Sequence, residues 1–200
     1  MKRQRLPRPF DSSLASFVAW RRSSSVTPTG ANAGLVDPKD RTSHMQRSCI
    51  MEVRTSRFGV LQIAEERIIH MPKGLLGFSQ YTRYCLLEPG EDSCFFWFQC
   101  IDEPALAFVI TDPSLFIAEY SVPIRPEQMG DMGLGKLEDA QVFVIVNKVD
   151  QMLTGNLQGP LVINTLNKVG EQLVLAEKRW TTRHPLVKVG AVAAHAAMIA

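Results

Sequence analysis

Long apolar runs are missing from this chain of 200 residues. No stretch approaches the ~20 consecutive apolar residues that a membrane-spanning helix needs, and the alanine-rich end, Gly190–Ala200, falls well short. Cysteine is scarce as well. Cys49, Cys85, Cys94 and Cys100 contain no CxxC pair, which argues against a zinc or disulfide framework and for reduced thiols in the cytoplasm. The histidines, His44, His70, His184 and His195, are scattered, and none stands at metal-ligand spacing from another His, Cys or carboxylate. No serine occupies a G-x-S-x-G elbow. With no nucleophile–base pair, no metal set and no cofactor expected, the chain reads as a scaffold that binds, not an enzyme.

Charge of one sign is not in excess overall, but it is unevenly spread. Residues 1–50 hold nine of the 22 Lys/Arg and three of the 20 Asp/Glu, which leaves thirteen bases against seventeen acids in 51–200. An acidic body is a poor match for a phosphate backbone and a fair one for a basic protein. The basic leader has little apolar periodicity apart from Leu14–Trp20 and carries Arg21-Arg22-Ser23-Ser24-Ser25. Such composition buries too little to offset chain entropy, so residues 1–50 are expected to be disordered. They fail as a secretory signal and resemble a transit peptide in composition; a translation start at Met45 or Met51 is the plainer account. The resulting division is a leader (1–50), one domain (51–190) and a tail (191–200).

Helix signals are few: one turn at Ser79–Tyr84, and Arg125–Leu137, weakened by its glycines. Short strand-like segments dominate instead, at Phe58–Ile63, Glu66–Met71, Arg83–Leu87, Cys94–Cys100, Leu106–Thr111, Glu119–Val122, Ala140–Val146, Leu161–Asn164 and Leu173–Ala176. Turn residues separate them, including Pro72-Lys73-Gly74, Asp102-Glu103-Pro104 and Asp112-Pro113. This spacing predicts a mainly β, single antiparallel barrel-like or sandwich domain with little helix. Pro160–Ile163 and Leu173–Ala176 are expected to form a β-hairpin. In Cys94–Cys100, Phe95 and Trp97 share one face and Phe96 and Phe98 the other, so the strand is buried on both sides, or keeps one face for a protein or for stacked bases.

Two segments mimic a GTPase. Gly130–Lys136 nearly spells a P-loop and Asn147-Lys148-Val149-Asp150 spells NKxD. Leu137 stands where the P-loop needs a hydroxyl for Mg²⁺, Pro123 and Pro126 lie just upstream, and the few residues between the motifs leave no room for the intervening sheet. Nucleotide hydrolysis is therefore disfavoured, as is a nucleic-acid-binding barrel.

Four stretches carry a resemblance. Met71-Pro72-Lys73-Gly74-Leu75-Leu76-Gly77-Phe78 is similar to FPxGLxGF, and Gln99-Cys100-Ile101-Asp102-Glu103-Pro104-Ala105-Leu106-Ala107-Phe108 to LQSxDxPxLAF. Asn156–Asn164 is similar to NLxAPIVIN and Arg183-His184-Pro185-Leu186 to RHPL. Together and in this order they resemble the FliW family of flagellar assembly factors, from about Met51 to Leu186. That resemblance implies a cytoplasmic β-barrel-like protein without catalysis that binds flagellin and also CsrA, a small basic RNA-binding translational repressor. Flagellin-bound FliW leaves CsrA free to repress flagellin mRNA, and free FliW captures CsrA. The expected chain is a monomer that engages neither nucleic acid nor membrane directly. Candidate partner-binding residues are Asp102, Glu103 and Asp112, as acids in loops at the ends of apolar strands, with Phe78, Asn156, Asn164, Arg183 and His184. Turn chemistry is the favoured account of the three acids, as backbone geometry is of Gly74, Gly77, Gly159 and Pro160.

Overall fold

A computed structural model describes residues 25–26, 49–89 and 93–191. Its strands, in chain order, are β1 (Ser25–Val26), β2 (Ile50–Thr55), β3 (Gly59–Ala64), β4 (Ile69–His70), β5 (Arg83–Leu87) and β6 (Phe95–Cys100). There follow β7 (Ala107–Thr111), β8 (Ala140–Val149), β9 (Met152–Gly155), β10 (Leu161–Asn164), β11 (Gly170–Gln172) and β12 (His184–Lys188). Among the described residues one α-helix, the six-residue α1 (Pro126–Asp131), interrupts them. β2 and β3 form a separate hairpin, and the other strands make one sheet curled into a half-barrel. The mainly β architecture expected from the turn spacing is thus the one found.

β8 is the strand on which the sheet turns. One edge pairs with β7 through Val144–Val146. Its other edge pairs with β10 through Ala140–Phe143 and with β9 through Val146–Val149. Ten alternating residues allow this, because each half can be covered differently. From β8 the ladder runs through β7 and β6 to β5, whose far side takes β4 and β1 end to end. The two ends of the sheet approach each other where His70 N–H donates to the Lys168 carbonyl at 2.8 Å and His70 pairs with Val169.

Alternation then sorts the side chains into three cores. Tyr84, Leu86, Phe96, Phe98, Phe143, Leu161 and Ile163 point inward around Met71 and Leu75, with Tyr84 and Phe98 stacked 4.5 Å apart. Between them on the same strands, Val144 and Val162 point outward and pack under Tyr120, Val122, Ile124, Leu173 and Trp180. Cys85 and Leu87 point outward on β5 and are capped by Val53, Leu61 and Ile63 of the β2–β3 hairpin. Both faces of β6 are therefore covered. Trp97 lies edge-on to Phe58 at 5.7 Å with Arg57 over its ring, so no aromatic platform is left open there. Burial pushes the Cys85 thiol up to about 12, and Cys49, Cys85, Cys94 and Cys100 are all free.

Several segments differ from expectation. Leu173–Ala176 is not a ladder strand; the hairpin from β10 returns through β11, although Leu173 and Leu175 N–H still donate to the Pro160 and Gln158 carbonyls at 2.8 Å. Glu119–Val122 forms no strand, since Tyr120 N–H closes a turn on Ile117 and Pro123 has no N–H to offer. Glu66–Met71 contributes only β4, because Glu65–Arg67 turns as a 3₁₀ helix. The helix stops at Asp131, where Gly133 takes φ +61°, and Ser79–Tyr84 holds no helical turn. β9 and β12 were not foreseen; β12 accommodates Pro185 through a register shift between Pro185 and Val187. The expected disorder of residues 1–50 and the 191–200 tail fall almost wholly outside the described residues; Ser25–Val26 pair parallel with Leu86–Leu87.

The closure carries a pH signature. Lys168 sits half-buried at φ +60°, its Nζ donating to the Thr165 carbonyl at 2.7 Å, and burial pulls its amine down to about 8. The folded pKa lies below the unfolded one, so between about pH 8 and 10.5 the unfolded chain holds a proton that the fold has released, and stability rises with pH. Lys168→Met should therefore be the more stable form at pH 7 and lose about 1 kcal/mol of that advantage by pH 10, a figure reduced for partial exposure. Urea unfolding of both proteins checks this. Taking their difference cancels the thiol and phenol titrations, which run the other way.

Candidate functional site

Two of the four motif stretches meet at the surface beside β5 and β6. Phe78 ends the 71–78 loop, its N–H donating to the Leu75 carbonyl at 2.8 Å while its own carbonyl accepts from Tyr81 at 3.1 Å. The ring is half-buried and edge-on to Phe108 at 5.4 Å, partly core and partly the wall of a shallow hollow of about 290 Å³. Gly77, Gln80, Tyr81, Glu103, Ala105 and Leu106 complete that hollow. The 101–106 loop opposite is shaped from inside. Gln99, fully buried on β6, donates its amide to the carbonyls of Cys100 and Leu106 at 2.9 and 3.0 Å and reaches those of Glu103 and Pro104. A second fastening comes from the hairpin, where Ser56 N–H donates to the Pro104 carbonyl at 2.9 Å.

The three acids proposed from sequence part company here. Glu103 lines the hollow, one carboxylate oxygen accepting from Ala105 N–H at 3.1 Å. Asp102, next along the loop, is ion-paired with Arg83, whose Nε and Nη2 each donate to one carboxylate oxygen, so its charge is partly offset. Asp112 is half-buried and its carboxylate is already engaged within the chain. It caps the 3₁₀ turn Pro113–Leu115, accepting from Ser114 N–H at 2.8 Å, from the Ser114 hydroxyl at 2.6 Å and from Gln141 Nε2 at 2.8 Å. Burial pushes its carboxyl up, against the pull of those donors. Charge reversal at Asp112 would break this cap, so the residue cannot serve as a neutral probe of a partner surface.

The remaining candidates lie elsewhere. Asn156 is a turn residue, its Oδ1 accepting from Gly159 N–H at 2.9 Å. It follows Gly155, which pairs with His184 on β12, so Asn156, Arg183 and His184 share one region. There His184 stands edge-on to Trp180 at 5.6 Å, while Arg183 is exposed. Asn164 is buried and clamps the end of α1. Phe78, Glu103 and Asp102 thus come together, Asn156, Arg183 and His184 form a second group, and Asp112 and Asn164 belong to neither.

Sequence reasoning passed over Gln99, Arg83 and Tyr81. For Gln99 the signal was present, as an amide ending an otherwise apolar aromatic strand just before a turn. The nucleotide-binding mimics do not converge: Gly130–Lys136 covers the end of α1 and the coil after it, while Asn147–Val149 are the last residues of β8 and Asp150, at φ +53°, opens the β8–β9 turn. Among the described residues no three His, Cys, Asp or Glu side chains are grouped as metal ligands, and no helix is long and apolar enough to cross a membrane.

Comparison with known proteins follows the same residues. The family model described as FliW protein matches residues 52–186. A flagellar assembly factor FliW of Treponema denticola is 37% identical over 139 residues, covering 68% of this chain and 94% of that protein. Its counterpart in Alkaliphilus metalliredigens is 38% identical over 141 residues, with 69% and 87% covered. A crystal structure of the flagellar assembly factor FliW superposes with a TM-score of 0.63 at 28% identity, covering 68% of this chain and 97% of that one.

Proposed function

The chain belongs to the FliW family of flagellar assembly factors, and from that premise we propose that it is a non-enzymatic, cytoplasmic partner switch. In one state it binds a CsrA-type translational repressor and relieves repression of flagellin mRNA; in the other it holds flagellin before export, and the repressor is free. The observation that carries this reading is the family match over residues 52–186, which contains everything from β3 to β11. The acidic balance of the body supports a basic partner, since opposite charge steers association and fixes register.

The hollow is where the two motif loops present an aromatic edge beside a carboxylate, and Phe78 with Glu103 is the contact pair this reading favours, Asp102 standing on its rim. Calorimetry of the full chain with CsrA, repeated with flagellin already bound, tests the switch: tight binding that flagellin abolishes is expected. Binding of flagellin alone would leave an export chaperone, and binding of neither would overturn the proposal. Glu103→Lys should lower CsrA affinity by about tenfold or more, as reversal of an interface charge does, with the melting temperature little changed. Unaltered affinity would move the contact surface away from the hollow.

A further inference from the structure

One side-chain amide joins two of the motif stretches. Gln172 ends β11, and its ladder partner Leu161 packs inward. Gln172 therefore shares that face with the 71–78 loop, whose Met71 and Leu75 lie in the same core. Its Oε1 accepts from Leu76 N–H at 2.8 Å and its Nε2 donates to the Gly159 carbonyl at 3.1 Å. Gly159 N–H is held in turn by Asn156 Oδ1 at 2.9 Å. A Cβ on Gly159 would stand 3.2 Å from Gln172 Nε2 and 2.8 Å from Asn156 Nδ2, so the bare glycine leaves the amide its place. An amide has one donor end and one acceptor end. With the donor end committed to Gly159, the acceptor end is turned to Leu76.

Leu76 needs that fastening. Leu75 is buried in the core, but the Leu76 side chain is 61% exposed and anchors nothing. The bonds from Gly74 N–H to the Met71 carbonyl and from Phe78 N–H to the Leu75 carbonyl stay inside the loop, so they hold its shape and not its place. Lys73 Nζ does reach outside, to Asp131 at 2.8 Å and Glu171 at 3.0 Å. That contact is exposed at the lysine, of the kind that water and salt weaken, and it lies five residues before Phe78. The Gln172 bond lies two residues before Phe78, where the chain turns up to the hollow.

We propose that Gln172 is a positioning residue for the partner surface: its amide, oriented by Gly159, fixes Leu76 and so sets where Phe78 stands at the hollow. The partner role rests on the reading of the hollow as a contact surface; the fixing of the loop does not. Without the amide the 71–78 loop samples further arrangements, and a partner binds the fraction that presents Phe78 correctly. Apparent affinity falls by that fraction. The net worth of one such hydrogen bond corresponds to about threefold to tenfold in population.

The test uses the full chain and Gln172→Met, a residue of nearly equal length without the amide. Amide exchange at Leu76 should quicken by about threefold or more, and affinity for CsrA should fall by about threefold to tenfold. A double-mutant cycle with Phe78→Leu separates positioning from general support. If Gln172 acts through the Phe78 ring, its replacement should change affinity by less than about twofold once the ring is gone. An equal loss with and without the ring would overturn the proposal, as would unchanged Leu76 exchange in Gln172→Met. If Phe78→Leu does not fold, Leu76 exchange and CsrA affinity of Gln172→Met decide, and both must move. Failure of the unsubstituted chain to bind CsrA would overturn the partner role together with the reading beneath it, and quickened Leu76 exchange would then mark that failure as the reading's own.

Discussion

Replacing Gly74 by alanine is expected to destabilise the fold by about 3–5 kcal/mol, the sum of a left-handed backbone cost and overpacking. Gly74 holds φ +62°, where a side chain is disfavoured. The added Cβ would stand 2.6 Å from Ser79 Cα and 2.8 Å from the carbonyl oxygens of Phe78 and Ser79. These are backbone atoms, so no rotamer change relieves them. The 71–78 loop would have to open, loosening Gly74 N–H from the Met71 carbonyl, now 2.7 Å away, and withdrawing Phe78 from Phe108. Gly77 supplies the control. It too has positive φ, +84°, but a Cβ there meets nothing within 4 Å, so Gly77→Ala should cost only the conformational term, about 1–2 kcal/mol. Urea unfolding of the pair separates strain from collision, and similar losses in both would contradict the packing explanation.

The contrast shows what a sequence can and cannot carry. Arg83–Leu87 and Leu161–Asn164 were legible residue for residue because each is short, apolar and bounded by turns, and burial on both faces needs nothing more. The inward and outward division of Phe95–Phe98 followed from period two alone. β12 was illegible because Pro185 argues against a strand, and only its place at the rim of β9, with a register shift, makes it tolerable. Leu173–Ala176 has the composition of a strand and half its hydrogen bonds, but whether the other edge is covered depends on Pro123–Gln128, some fifty residues earlier. The site was harder still. An Asp before Pro looks alike in Asp112 and in the Asp102-Glu103-Pro104 turn, yet one is drawn under Gln141 and another faces Arg83. That difference lies in long-range partners, which no local pattern encodes.

Asn164 is the other position where one side chain holds distant pieces of chain, and its loss should be nearly as severe. It is 2% exposed. Its Nδ2 donates to the carbonyls of Met132 and Gly133 at 3.1 and 3.0 Å, and its Oδ1 accepts from Leu166 N–H at 3.0 Å. One amide therefore ties β10, the end of α1 and the turn leading to β11. Asn164→Ala should cost about 3 kcal/mol, because buried groups left without partners each cost about 1–3 kcal/mol. The Met132 carbonyl is partly rescued, since Asn167 Nδ2 also donates to it at 3.0 Å, which keeps the expected loss below the sum of three orphaned groups. Asn164→Asp discriminates further. A carboxylate keeps the acceptor for Leu166 but turns a negative oxygen toward two carbonyls, so at neutral pH it should be at least as damaging as alanine. Protonation restores one donor. The folded carboxyl is then raised above its unfolded value, and its penalty should shrink as pH falls toward 4 and grow as pH rises. Thermal melts of both variants across that range provide the check, and a constant gap between them would mean that Asn164 fills space and does not act as a donor.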